Sequence, residues 1–393
     1  MRRTYTPKEL IKEIYTFLLA FVLTCKAPIR YLDYNGNPFL ASMLSRFSLY
    51  GVFFLAICVI ITRKDYIKYA LYTLLFFVFL YLYQFLVVQP SQLNQYWPNF
   101  FIQGLAGCFC GIALSEPKSL IRYAGGISLV YGVLLIPEPI THYFLAYSSM
   151  SLGYTMAPLT IWLILFWYYS KRYKKVIATV AILLGIMTIA FTSRGCGLSV
   201  VAAYIIVRIL DAKRRKESLY KPLFIISSAA VVIFLFIQEL AEFFSLRTNI
   251  ELLKGSTLNK IMDGMVSSDN GRAQLMQMAI SLYKENWFLG VGMGEDREIL
   301  GYVFPHNIII EILLHFGLLM SVLILVCYWK TVANSFRKIM RSELAVIIPV
   351  LCCIYWLRLL FSDSYLSNSF GLMLIFGFSL QIICKYKTGD FDE

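Results

Sequence analysis

Apolar residues run through this chain in long blocks, broken at intervals by short clusters of charge. Stretches such as 71–88 and 176–191 hold a continuous apolar character over lengths that could cross a bilayer. They lack the strict alternation of a transmembrane barrel strand, so the pattern predicts helices. Taking the charged breaks as boundaries gives about twelve spans, near residues 9–25, 46–62, 69–89, 97–114, 119–137, 154–170, 176–192, 196–210, 222–240, 305–328, 344–361 and 366–383. The first opens with Lys8, Lys12 and Glu13, and the sixth follows a polar stretch containing His142. The expected fold class is all-α: a polytopic transmembrane helical bundle, 1–393 forming a single integral membrane domain.

Composition turns that pattern into a physical requirement. Hydrophobic residues make up 59% of the chain and charged residues 15%, against about 25% charged in soluble domains. Too little polar surface exists to cover a soluble core, and in lipid only helices or closed barrels satisfy the backbone. No small-residue cleavage site follows a short apolar core at the N-terminus, so the first span is expected to stay as an anchor.

The formal net charge of +13 fits an orientation signal. With both termini cytoplasmic, 25 of the 36 Lys and Arg fall inside and 11 outside. The inside clusters include Arg63/Lys64/Lys68, Lys171 to Lys175, Lys213 to Lys216 and Arg337/Lys338/Arg341, while the outside loop 90–98 has none. This is the positive-inside asymmetry. A nucleic-acid footprint would be one continuous basic face, so no nucleic-acid partner is expected. Nine cysteines lie scattered, almost all within spans, with no CxxC pair and matching histidines, so no zinc site is expected.

One connection departs from the short turns. Residues 241–304 form a large extracytoplasmic loop between spans nine and ten, with six basic and eight acidic residues. Loops of this length are often functional. Within it, Leu275, Met276, Ala279 and Leu282 would share one face of a helix near 273–283.

Three polar elements from distant parts of the chain are predicted to reach the outer level together. Arg194 stands in a tight break between spans seven and eight, Arg272 precedes the helix of the loop, and His306 opens span ten. Arginine presents a planar fork that fits phosphate oxygens in pairs, so two at the membrane edge would suit a pyrophosphate on a lipid tail. Pro305 suits a first helical turn, which would place His306 and Asn307 at a helix N-terminus where free N–H groups favour an anion. His306, as a neutral imidazole, could accept a proton from an attacking sugar hydroxyl. Fixed cations stabilise a departing pyrophosphate without requiring a metal or other cofactor.

Each assignment has a plainer competitor. Arginines at span ends snorkel, loop arginines are often solvated, and His306 would also serve as a capping residue. His315, deep in span ten, reads as a hydrogen-bond partner for a neighbouring helix. Arg358 and Asp363 read as an ion pair or a further phosphate contact. Gly290-Val291-Gly292-Met293-Gly294-Glu295 looks like a phosphate loop but follows no strand, so a close-approach turn is the better reading. Glu295 and Asp296 are then candidates for sugar hydroxyls.

At these residues the chain resembles the O-antigen ligase and O-antigen polymerase superfamily. The resemblance rests on Thr192-Ser193-Arg194-Gly195, Gly271-Arg272, the glycine-rich run 288–294, Pro305-His306-Asn307, Glu311 and Phe316-Gly317, over about residues 150–330. It implies a metal-independent, inverting glycosyltransferase in the bacterial cell inner membrane, using an undecaprenyl-pyrophosphate-linked oligosaccharide. It further implies Arg194 and Arg272 holding the pyrophosphate and His306 assisting acceptor or leaving group. By position alone, Asn307, Arg358 and Glu295 are further candidates for binding substrate. A chain-length regulator and a flippase of the same pathway would be partners. The Pro-His-Asn segment and the turn before Tyr365 look closer to polymerases than to ligases. A lipid-linked oligosaccharide flippase is the alternative from another class. Transporters usually show symmetric halves and midplane charges, and neither is evident here.

Overall fold

The computed structural model describes residues 6–34, 36–138, 149–218, 271–301, 303–361 and 363–388. The expected ninth span, His142 and the part of the long loop before residue 271 lie outside them. Among the described residues the chain is all-helical, with no strand. Along the first half run α1 (Pro7–Thr24), α2 (Lys26–Tyr34), α3 (Pro38–Ile61), α4 (Lys64–Tyr83, extended by the π turn Gln84–Val88), α5 (Leu93–Ala113) and α6 (Pro117–Leu135). After them come α7 (Ser149–Tyr169), α8 (Lys174–Phe191) and α9 (Arg194–Arg215). The last part holds α10 (Arg272–Glu285), α11 (Glu295–Ile299), α12 (Ile308–Ile339), α13 (Ile347–Phe361) and α14 (Tyr365–Thr388).

Eight of these helices are long and apolar enough to cross a membrane. The number is nine if α5 and α6, which meet at a bend of 120°, are taken as one broken span. The molecule is a polytopic helical membrane bundle. The predicted spans follow the helices closely, with three instructive differences. The first span is a helix, but its charged opening keeps it out of the eight. The tenth runs on to Ile339, since the apolar pattern fades near Trp329 while the helix continues through Lys330 and Arg337. The short α2, between spans one and two, was invisible to hydropathy.

The bundle's axis is the pair α5 and α14. A Cβ on Gly107 would lie 2.1 Å from the Phe370 carbonyl, one on Gly111 2.3 Å from that of Leu374, and one on Gly377 2.0 Å from that of Cys108. Backbone therefore lies on backbone, the packing by which small residues drive helix association in lipid, where apolar side chains gain nothing by leaving solvent.

Contacts across the bundle define two ends. At one, Lys118 and Arg214 both reach Glu343, at 2.9 and 3.1 Å, and Lys385 donates to the Ser115 carbonyl at 3.1 Å. Most of the basic clusters expected inside lie in the helix ends and turns at this level. At the other end stand the last turn of α4, the starts of α9, α12 and α14, and the described part of the long loop.

Inside α12 the helix breaks at Gly317, with φ 64° and ψ 179°. A break at this depth strands backbone groups that water cannot satisfy. The loop supplies the partners. Val291 N–H donates to the Leu314 carbonyl at 2.7 Å, and Leu318 N–H to the Trp287 carbonyl at 2.8 Å. Gln84 Nε2 donates to the His315 carbonyl at 2.9 Å, and Tyr83 Oη to that of Phe316 at 3.2 Å. The approach is so close that a Cβ on Gly317 would sit 2.0 Å from the Phe288 carbonyl, and one on Gly290 2.5 Å from that of Leu314. Gly290, Gly292 and Gly294 all adopt positive φ. The glycine-rich run thus joins the loop to a broken helix by backbone.

Candidate functional site

The turn joining α13 to α14 is three residues long, and it gathers side chains from α10, α11, α12 and α13. Arg272, the first residue of α10, donates from Nη1 to the Phe361 carbonyl at 3.1 Å. Arg358, in the last turn of α13, pairs with Asp363. Arg297, in α11, donates to Ser364 Oγ at 2.6 Å and forms an ion pair with Glu311 of α12. Glu311 also accepts from the Tyr365 N–H at 3.2 Å. Tyr365 Oη bonds His315 Nδ1 at 2.6 Å, whose Nε2 meets Asp296 Oδ1 at 2.8 Å. Three arginines brought by three helices therefore meet one turn.

The buried part of this network is costly and well compensated. Arg297 is 7% exposed and Glu311 1%. Buried charges persist only when paired and hydrogen-bonded, and here each has at least two partners. Burial pushes the Asp296 carboxyl up, but His315 and Arg297 beside it outweigh that and hold it below the usual carboxylate value. Ligand atoms of Asp296, Glu311 and His315 lie within 4.8 Å of one another, a grouping with metal-ligand chemistry. Arg297 already places its guanidinium against both carboxylates, so their charge has a counterion within the chain.

His306 connects to the same network through an aromatic ring. Its imidazole packs on Phe304, centroid to centroid 4.2 Å, and the Arg297 guanidinium lies 4.8 Å from that Phe304 ring centroid. His306 holds φ at 55°, the left-handed region that non-glycine residues seldom occupy and that clusters at functional sites. The helix begins later than its sequence suggested. Pro305 lies outside α12, whose N-cap is Asn307, because the Asn307 side chain already accepts from the Ile309 and Ile310 N–H groups at 3.0 and 3.3 Å. His306 and Asn307 do stand at a helix N-terminus, but two of its free donors are committed to the cap.

Arg194 is exposed and opens α9 immediately after its N-cap, Ser193. The next turn packs on α7: a Cβ on Gly153 would meet Cys196 Sγ at 2.7 Å. The neighbouring Tyr154 lies under Arg358, its ring centroid 3.8 Å from the guanidinium carbon. The break carrying Arg194 and the turn carrying Arg358 thus flank the same pair of residues. Glu295 faces elsewhere, accepting from the Gln92 N–H at 3.1 Å and so tying the loop to the start of α5.

Sequence reasoning did not single out Arg297 and Tyr365 as site residues, and used Glu311 only within a motif. The available signal was Glu311 itself. A carboxylate four residues into an apolar span demands a cation, and the nearest upstream basic residue is Arg297. The hydrogen-bonding role read for His315 is what the structure shows, with two partners.

Comparison with known proteins returns one finding. Residues 179–325 match the family model described as O-antigen ligase. No curated protein and no solved structure matches the chain. The matched stretch contains Arg194, Arg272, Arg297, His306, Glu311 and His315, and over it this all-helical membrane bundle is similar to the O-antigen ligase family.

Proposed function

We propose that this protein is an O-antigen polymerase, transferring a growing glycan from undecaprenyl pyrophosphate onto a lipid-linked repeat unit at the outer face of the bacterial inner membrane. The observation that carries the reading is the gathering of Arg272, Arg297 and Arg358 at one turn, on the end opposite the basic clusters. By the positive-inside rule we read that end as extracytoplasmic and both termini as cytoplasmic.

In the proposed reaction an acceptor hydroxyl of the incoming repeat attacks the anomeric carbon of the chain. The bond from that carbon to the pyrophosphate oxygen breaks, the configuration inverts, and the pyrophosphate leaves on its lipid. Arg194 and Arg272, exposed and multidentate, stabilise the charge developing there, so the step is written without a metal. His306 takes the hydroxyl proton. Arg297 is a positioning residue, too deeply buried and too fully paired to hold a lipid headgroup itself.

The second reading, the activity the family description names, is ligation, which would place the glycan on lipid A–core. A clean deletion strain separates the two on a surface-glycan gel beside its complemented parent. A core bearing a single repeat, with the ladder gone, is expected for a polymerase. A bare core with polymer retained on its carrier means ligase, and an unchanged ladder sinks both.

A further inference from the structure

One cavity lies beside the arginine turn and has no part in the reaction as written. It measures about 270 Å³ between α1, α2, α3, α5, α7, α13 and α14, a little below the roughly 300 Å³ at which the range for small-molecule pockets begins. Arg358 and Tyr154 line it, together with Ser48, Thr155, Gln103 and Asn368. α14 leaves helical geometry at Asn368, with φ −136° and ψ 34°, which opens the wall there.

The lining has the chemistry of a sugar site. Ser48 and Thr155 donate their hydroxyl protons to carbonyls of their own helices, at 3.0 and 3.2 Å. Their oxygens remain acceptors for a ligand hydroxyl. The Arg358 charge is matched by Asp363, so the cavity offers hydrogen bonds with little net field. A phosphate would find no surplus cation, whereas a neutral polyol would find both donors and acceptors beside an aromatic face.

A second, independent observation concerns which part of the chain builds it. Every described lining residue falls in 22–29, 45–49, 103, 154–159 or 354–371, outside the stretch 179–325 that matches the family. The residues proposed for pyrophosphate chemistry lie within that stretch. The stretch matched by the family model and the wall of the cavity therefore come from different parts of the chain. Specificity for one glycan among many belongs in the unshared part.

We infer that this cavity binds the neutral sugar rings of the acceptor repeat unit, an inference that rests on the polymerase reading. The test uses full-length protein in nanodiscs and two probes: the repeat oligosaccharide released from its carrier by mild acid, and undecaprenyl pyrophosphate bearing no sugar. Ser48→Phe fills the cavity, and Gln103→Ala removes a hydrogen-bonding group without adding bulk. Both are expected to weaken oligosaccharide binding at least tenfold and leave undecaprenyl pyrophosphate binding unchanged. Monodisperse Gln103→Ala protein keeps the test open should Ser48→Phe fail to fold. Equal loss of both probes would make the cavity a headgroup site and overturn the inference, as would unchanged binding of the oligosaccharide. In turnover, a raised KM for a long preformed donor, with the KM for a single lipid-linked repeat unchanged, would assign the cavity to the donor and overturn it too. The glycan ladder reads the polymerase assignment separately: a lost ladder with unaltered binding sinks only the cavity, and an unaltered ladder sinks the reading beneath it.

Discussion

The two ends of the bundle both carry arginine, and they use it differently. At the basic end Lys118 and Arg214 share Glu343, with Lys118 and Glu343 exposed by 60% and 51%. These are solvated pairs, weak by nature, and their cations do their work as a crowd that fixes orientation. At the opposite end the cations are fewer, but Arg272, Arg297 and Arg358 are each fixed by a defined partner. Arg297 is almost fully buried between Glu311 and Ser364, Arg358 is held by Asp363, and Arg272 reaches a backbone carbonyl. Charge in number orients a membrane protein, whereas charge in position builds a site.

The comparison is most sharply broken at Glu311. Glu311→Ala leaves the Arg297 guanidinium buried beside one remaining carboxylate, and removing one partner of a buried pair costs about 3–5 kcal/mol. A markedly lower unfolding midpoint is expected for the purified protein in detergent; an unchanged midpoint would mean that the pair is not buried. Next come the exposed arginines. Arg194→Ala and Arg272→Ala are each expected to lower polymer synthesis by roughly 10²–10³-fold, the loss seen when one preorganised charge-stabilising group is removed. Membrane insertion should be unaffected, and Arg→Lys should rescue poorly because a point charge lacks the fork. Polymer at parental levels in either Ala variant would remove the pyrophosphate clamp. The smallest effect belongs to the basic end, where Glu343→Ala should cost under about 1 kcal/mol and leave the glycan ladder intact. A lost ladder there would show that the two ends are coupled.

Much of this was legible in the sequence, for reasons that differ by element. Hydropathy reported the helices because lipid enforces apolar length, and it tracked α13 and α14 to within a few residues. It could not report the break at Gly317, since apolar residues continue on both sides of it and the cause lies in a loop approaching from elsewhere. Arg272, His306 and Arg358 were visible because each sits where charge needs a reason. Arg297 was not: within Glu295-Asp296-Arg297-Glu298 it looks like part of a solvated face, and only the docking of α11 against α12 buries it. The cavity was invisible for the same reason, its walls coming from segments as distant as residues 22 and 371.

The broken helix has a consequence for how freely this protein can change. The loop is moored to Gly317 largely through main-chain atoms, so the mooring asks little of side-chain identity beyond the glycines at 290 and 317. Trp287, Phe288 and Leu289 lie on that segment and point outward, each at least 40% exposed. Their side chains take no part in the mooring, so substitutions there should leave the segment docked against the membrane helix.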